Sequence, residues 1–165
     1  MRIERNITAL LADVEVRRVV GNTEGEVAAM TFDSRSVAQG DVFFAIKGEK
    51  VDGHNYIAGA VERGARMVVC EQIPEQTTEG VCYVEVANTN IAMGRMASAY
   101  WGHPSRALTL VGVTGTNGKT TTATLLYNLM RALGYRAGLI STVRYVVDTR
   151  SVESTHTPPD ALRLN

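Results

Sequence analysis

The segment Gly115-Thr116-Asn117-Gly118-Lys119-Thr120-Thr121 constrains the fold more than any other stretch of the sequence. An apolar run, Leu108 to Val113, precedes it, and an amphipathic run, Thr122 to Leu133, follows it. That order reads as strand, glycine loop and helix start, so the expected fold class is α/β. Junctions of this kind hold phosphate, because successive backbone N–H groups and the helix N-terminus face the anion while a lysine adds a mobile positive charge. The Thr120 hydroxyl is then placed to ligate a magnesium ion bridging the phosphates. The competing reading is a glycine turn with a solvated lysine. Three consecutive threonines, Thr120 to Thr122, weigh against it, since β-branched residues suit a helix start poorly unless their hydroxyls have partners. The loop is not the common G-x-x-x-x-G-K-[ST] form, which would need a glycine where Val113 stands.

The rest of the chain supplies alternating strands and helices. Ile7, Leu10, Leu11 and Val14 recur at helical spacing. Val27 to Phe32 and Asp41 to Ile46 read as strands, Tyr56 to Arg63 as a helix ended by Gly64, and Met67 to Cys70 and Val81 to Val86 as further strands. Thr89 to Tyr100 reads as a helix with Ile91, Met96 and Tyr100 among its apolar positions, capped by Asn88 or Thr89. A composition shift at Trp101-Gly102-His103-Pro104-Ser105 suggests two domains, 1–104 and 105–165. In the second, the strand Leu108 to Val113, a helix ended by Gly134 and a strand Arg136 to Ser141 make a fraction of a doubly wound sheet. Tyr145 to Val152 reads as extended, and a new helix follows Pro158-Pro159-Asp160. Such a sheet needs both faces covered, so this domain is expected to be incomplete.

Composition excludes several classes. Seventeen basic and seventeen acidic residues are interspersed, which argues against a nucleic-acid or membrane partner. No apolar segment is long enough for a signal peptide core or a membrane span, and Cys70 and Cys82 read as buried reduced thiols. A cytoplasmic monomer is expected. The three histidines, His54, His103 and His156, lack zinc-site spacing, and His54 reads as a structural turn residue.

Two separated groups of residues carry a family resemblance. Thr31-Phe32-Asp33-Ser34-Arg35-Ser36-Val37, Gly40-Asp41-Val42-Phe43-Phe44-Ala45, Gly48 and Asp52-Gly53-His54 form the first. Trp101-Gly102-His103-Pro104-Ser105, the loop G-T-N-G-K-T-T, Ser141-Thr142 and Thr157-Pro158-Pro159-Asp160 form the second. Together they resemble the N-terminal third of a Mur ligase, of the type that adds the third residue to the muramoyl peptide (MurE) more than the type that adds the terminal dipeptide (MurF). The resemblance implies a small mixed α/β substrate-binding domain followed by the first part of a P-loop-type, parallel-sheet ATP-binding domain. It also implies a ligase that uses ATP and Mg2+ to convert the γ-carboxylate of UDP-MurNAc-L-Ala-D-Glu to an acyl phosphate, which an amino acid then attacks. The incoming amino acid is expected to be diaminopimelate rather than lysine.

By that resemblance Gly115, Thr116, Asn117, Gly118, Lys119, Thr120 and Thr121 bind ATP, with Lys119 against the β- and γ-phosphates and Thr120 on magnesium. Ser34, the loop Glu49-Lys50-Val51, and Thr157 with Pro158 contact the UDP-sugar peptide. Pro158 departs from the family's T-T-P-D motif, removing a hydroxyl and a backbone donor. Ser34 could instead belong to a turn satisfied by its own hydrogen bonds, Lys50 could be a solvated loop lysine, and Thr157 could be a plain pre-proline residue. The chain alone is expected to be inactive, because the family's carbamylated lysine and C-terminal domain fall outside it. A MurF-like or folylpolyglutamate-synthetase-like ligase, and a non-catalytic UDP-sugar or nucleotide-binding module, stay open as alternatives.

Overall fold

The computed structural model describes residues 3–48, 51–147, 150–153 and 161–164. They fall into two compact units, Met1–Leu108 with Ala161–Asn165, and Thr109–Asp160.

The first unit is built on a five-stranded sheet. Its elements are α1 (Ile7–Leu11), β1 (Val16–Val20), β2 (Met30–Thr31), β3 (Val42–Phe44), α2 (Ile57–Glu62), β4 (Met67–Cys70), β5 (Cys82–Val86), α3 (Thr89–Tyr100) and α5 (Ala161–Leu164), with α4 belonging to the other unit. The strand order is β1-β5-β4-β3-β2. The pairs β2–β3, β3–β4 and β4–β5 are parallel, and only β1 runs antiparallel to its neighbour. Strand residues alternate between two buried faces, as a period of two requires. Val42, Phe44, Met67, Val69, Cys82, Val84 and Val86 pack with α1 and α3, and Ala161 and Leu162 lie against that cluster. Phe43, Ala45, Val68, Cys70 and Tyr83 pack on the opposite side with Ile57 and Ala60 of α2. Burial on both faces explains why β3 and β4 read as continuous apolar runs rather than alternating ones. Full burial of Phe43 and Phe44 contributes roughly 1.5–3 kcal/mol each.

Local chemistry sets the element ends. Asn6 and Asn88 cap α1 and α3, their side-chain oxygens accepting from Ala9 N at 3.1 Å and Ile91 N at 3.0 Å. Gly64, at φ +101°, ends the α2 segment. Two expectations change here. The strand foreseen over 27–32 is confined to Met30–Thr31, an edge strand with one neighbour, and Ile91 is 57% exposed on the outer side of α3. Cys70 and Cys82 are both buried and unbridged, on opposite faces of the sheet. Burial pushes the Cys70 thiol up to about 12.

The second unit contains α4 (Lys119–Ala132) and a three-stranded sheet of β6 (Gly138–Ile140), β7 (Arg144–Val147) and β8 (Arg150–Glu153). Gly134, at φ +87°, terminates α4, and Tyr135 N–H reaches back to Met130 O at 3.0 Å. Among the described residues of this part no parallel strand pair is formed. Leu108 to Val113 has no strand partner among the described residues, and Leu108, Leu110 and Val111 are 62%, 70% and 63% exposed. A parallel strand exists only beside a neighbour, so the run stays unpaired. The strand foreseen over 136–141 is β6, and it pairs antiparallel with β7 through the short connection between them. Of the extended stretch foreseen over 145–152, the described residues belong to β7 and β8, which pair antiparallel.

Candidate functional site

In the first unit, β2, β3 and β4 are parallel, so the connections that leave their C-terminal ends share one edge of the sheet. Ligands of open parallel sheets gather at that edge. Ser34 lies in the connection after β2, where the turn is held by its neighbours. Asp33 accepts from Arg35 through the backbone N–H at 3.0 Å, Nε at 2.9 Å and Nη2 at 2.8 Å. Asp33 N–H donates to Thr31 Oγ1 at 3.1 Å, and Ser36 Oγ donates to Asp33 O at 2.9 Å. The Arg35 side chain, reinforced by its backbone N–H, holds the Asp33 carboxyl down at about 2. Ser34 is half-buried, and its hydroxyl has no partner among the described residues. The self-satisfied turn is therefore real, but Asp33, Arg35, Thr31 and Ser36 make it and Ser34 is left over.

The connection after β3 carries Val51. Lys47 and Asp52 form an antiparallel bridge, Gly48 N–H donates to Val51 O at 2.9 Å, and the Val51 side chain is exposed. Glu49, Lys50, Thr157 and Pro158 lie outside the described residues. Beyond the bridge, Gly53 N–H donates to Ile46 O at 2.8 Å. A Cβ at Gly53 would stand 2.7 Å from Ile46 N and O, so only glycine permits this approach. His54 is a turn residue, as read from its sequence context, and a well-tied one. Its ring joins Asp52 Oδ1 at 2.6 Å through Nδ1 and accepts Glu71 N–H at 2.9 Å through Nε2.

In the second unit the glycine loop meets α4 directly. Gly115 and Gly118 take φ +144° and +76°, conformations that L side chains rarely adopt. Gly118 is the N-cap of α4, with no side-chain cap and no acidic residue in the first turn. The first-turn N–H groups thus have neither a side-chain cap nor an acidic residue of their own turn beside them. Lys119 folds back, its Nζ donating to Gly115 O at 2.6 Å and reaching Thr116 O at 3.4 Å. Thr116, Asn117 and Thr121 are exposed around it. Thr120 Oγ1 lies 3.5 Å from Thr142 Oγ1. Glycines at positive φ, an uncapped helix start and a lysine over the loop fit a bound phosphate chain. Thr142 was not assigned a role from the sequence. Its signal was the Ser141-Thr142 pair of the family resemblance, and pairing with Thr120 depends on how β6 returns along α4.

Two family models match the chain in succession. The model of the Mur ligase family, catalytic domain, matches residues 26–101, and that of the Mur ligase middle domain matches residues 113–165. The UDP-N-acetylmuramoyl-L-alanyl-D-glutamate--2,6-diaminopimelate ligase of Cytophaga hutchinsonii is 47% identical over 160 residues, 96% of this chain and 33% of its own. The ligase of the same name from Phocaeicola vulgatus is 44% identical over all 165 residues, again 33% of its length. The chain thus spans about a third of the curated relatives it matches. Among solved structures, one UDP-N-acetylmuramoyl-L-alanyl-D-glutamate--2,6-diaminopimelate ligase shares the fold at a TM-score of 0.63 and 22% identity, over 99% of this chain and 32% of that one. MurF from Acinetobacter baumannii aligns at 0.57 and 26%, over 81% and 29%.

Proposed function

The chain belongs to the Mur ligase family, and from that premise we propose that it is the N-terminal part of a MurE-type, ATP-dependent amide ligase of peptidoglycan synthesis. The observation that carries this reading is that identity of 43–47% with ligases named for diaminopimelate runs through both units, over 94–100% of the chain. The names of these relatives favour UDP-MurNAc-L-Ala-D-Glu as the acceptor and diaminopimelate as the incoming amino acid. Their uniform naming favours MurE over MurF, whose likeness is at the level of solved structures. Among the described residues no helix is long and apolar enough to cross a membrane, which accords with a cytoplasmic enzyme acting on a nucleotide-linked precursor.

In this reading the first unit holds the UDP-sugar and the second holds the nucleotide. The free Ser34 hydroxyl, fixed at the tip of the Asp33–Arg35 turn, takes a uridine diphosphate oxygen or uracil edge, and the Gly48–Asp52 connection closes beside it. Thr157 and Pro158 approach the muramoyl peptide. In the glycine loop, the backbone from Gly115 through Gly118 and the first N–H groups of α4, including those of Thr120 and Thr121, hold phosphate oxygens. Lys119 exchanges its two carbonyl contacts for phosphate oxygens. Its charge then counters what builds up as the phosphoryl group moves to the carboxylate. Magnesium, when bound, supplies further charge neutralisation, with Thr120 as its ligand.

Isothermal titration of the chain with MgATP tests the nucleotide half. Lys119→Ala is expected to weaken binding about 10- to 100-fold, the worth of hydrogen bonds to a charged group. Equal affinity in the two proteins would remove Lys119 from the site. Titration with UDP-MurNAc-L-Ala-D-Glu tests the other half, and binding of a folate in its place would move the chain to the folylpolyglutamate class.

A further inference from the structure

The connections after β3, β4 and β5 are joined by side chains. Asp52 closes the Lys47–Asp52 bridge that bounds the substrate loop, and its Oδ1 accepts the backbone N–H of His54 at 2.9 Å as well as the imidazole contact at 2.6 Å. On the other side of the ring, Glu71 N–H points at Nε2 from 2.9 Å. A backbone N–H can only donate, so Nε2 must be the unprotonated nitrogen, and the proton sits on Nδ1, donated to Asp52. Glu71 continues the chain of contacts, its Oε1 accepting the backbone N–H of Thr89 at the start of α3 from 3.2 Å. His54 is mostly shielded, with 19% of its side chain exposed, on the wall of an open groove of about 440 Å³ shared with Lys47, Asp52, Asn55 and Glu71. None of this hydrogen bonding is needed to form the sheet, whose ladders are complete without it.

We propose that His54 is a positioning residue for the UDP-sugar: in its Nδ1–H tautomer it ties the Lys47–Asp52 bridge to the strand end at Glu71. This rests on the substrate reading given above for Ser34 and the Gly48–Asp52 connection. Among the described residues, this connection is anchored by Gly48 N–H on Val51 O, the Lys47–Asp52 bridge and Gly53 N–H on Ile46 O. Removing the imidazole frees the Asp52 carboxylate and leaves Glu71 N–H without its acceptor, so the Lys47–Asp52 bridge loses its link to the end of β4 while the sheet stays intact. The cost therefore falls on ligand binding more than on folding.

The experiment is calorimetric titration of the chain with UDP-MurNAc-L-Ala-D-Glu, comparing wild type, His54→Ala and His54→Gln. Wild type is expected to bind, His54→Ala roughly tenfold more weakly, and His54→Gln within about threefold of wild type, since its amide can replace the acceptor at Nε2. Trp101 fluorescence and circular dichroism are expected to be the same in all three, a readout that unfolding of the first unit, against whose core Trp101 packs, would shift. Imidazole 15N shifts of wild-type His54 give a second measurement that needs no variant, and a proton found on Nε2 overturns the proposal. Equal UDP-sugar affinity in wild type and His54→Ala overturns the positioning role while leaving the substrate reading in place. Failure of wild type to bind the UDP-sugar overturns the substrate reading and the positioning role with it.

Discussion

Gly53 and Gly59 lie six residues apart and should respond to the same substitution with opposite signs. A methyl group at Gly53 would meet Ile46 N and O at 2.7 Å and Ala45 C at 3.0 Å, all backbone atoms. That backbone cannot give way cheaply, because Ala45 is fully buried and its N–H is held on Val69 O at 2.8 Å. Gly53→Ala therefore breaks the Gly53–Ile46 hydrogen bond, at about 1 kcal/mol, and overpacks the site by about 1–3 kcal/mol. The stiffer unfolded chain offsets about 0.4–1 kcal/mol, leaving a net loss of roughly 1–3.5 kcal/mol. At Gly59, inside α2, a Cβ meets nothing within 4 Å, so alanine should stabilise by about 0.5–1 kcal/mol. Trp101 is the single tryptophan and packs against the first unit's core, edge-on to Tyr100 at 5.3 Å. Its fluorescence in a urea titration therefore reports on this unit. A Gly53→Ala midpoint equal to wild type, or a Gly59→Ala loss as large as that of Gly53→Ala, would refute the steric account of the β3 connection.

Other perturbations follow from single contacts. Asn88→Ala removes the acceptor of Ile91 N–H and should cost about 1 kcal/mol in the same urea assay; a change under a few tenths would mean that the α3 cap is replaced by water. The buried Cys70 thiol should resist a thiol-reactive disulfide in native buffer and react on unfolding. Because Cys70 keeps its proton to about 12 in the fold against an ordinary 9.0, the folded state binds more protons between these values. Its contribution to stability is thus intact below about 9 and falls as pH rises toward about 12. A Cys70→Ala variant with the same alkaline slope as wild type would contradict this.

The sequence disclosed what depends on neighbours along the chain and hid what depends on neighbours across it. Met67–Cys70 and Thr89–Tyr100 carry a four-residue buried run and an asparagine-capped stretch, and their limits in the structure match those read from residues alone. The glycine loop was legible because backbone conformation demands glycine at 115 and 118 whatever surrounds them. Leu108 to Val113 has the composition of a buried strand, yet strand character lives in the partner, and none is present among the described residues. The same dependence turned 136–141 from a parallel crossover strand into the first arm of an antiparallel sheet. Ile91 is apolar yet exposed, because an apolar residue on a helix marks no buried face until packing shows where that face ends.

The substrate half of the site shows a further limit. Nothing in the residues Asp33-Ser34-Arg35 or Asp52-Gly53-His54 says that they meet, since about twenty positions separate them. The family resemblance implies their pairing, and the topology offers a reason for it. Because β2 and β3 are adjacent and parallel, the chain must leave both at one edge, and Val42 pairs with Met30 while Phe43 pairs with Thr31. That register starts the Ser34 turn and the Lys47–Asp52 bridge from neighbouring strand ends. Parallel adjacency does this without any contact between the loops, so each can vary in length while staying at the shared edge. The coupling that contacts do add runs the other way along the sheet, from Asp52 through His54 to Glu71 and Thr89. The edge therefore has two kinds of order, one imposed by strand direction and one by a histidine that a single substitution can remove.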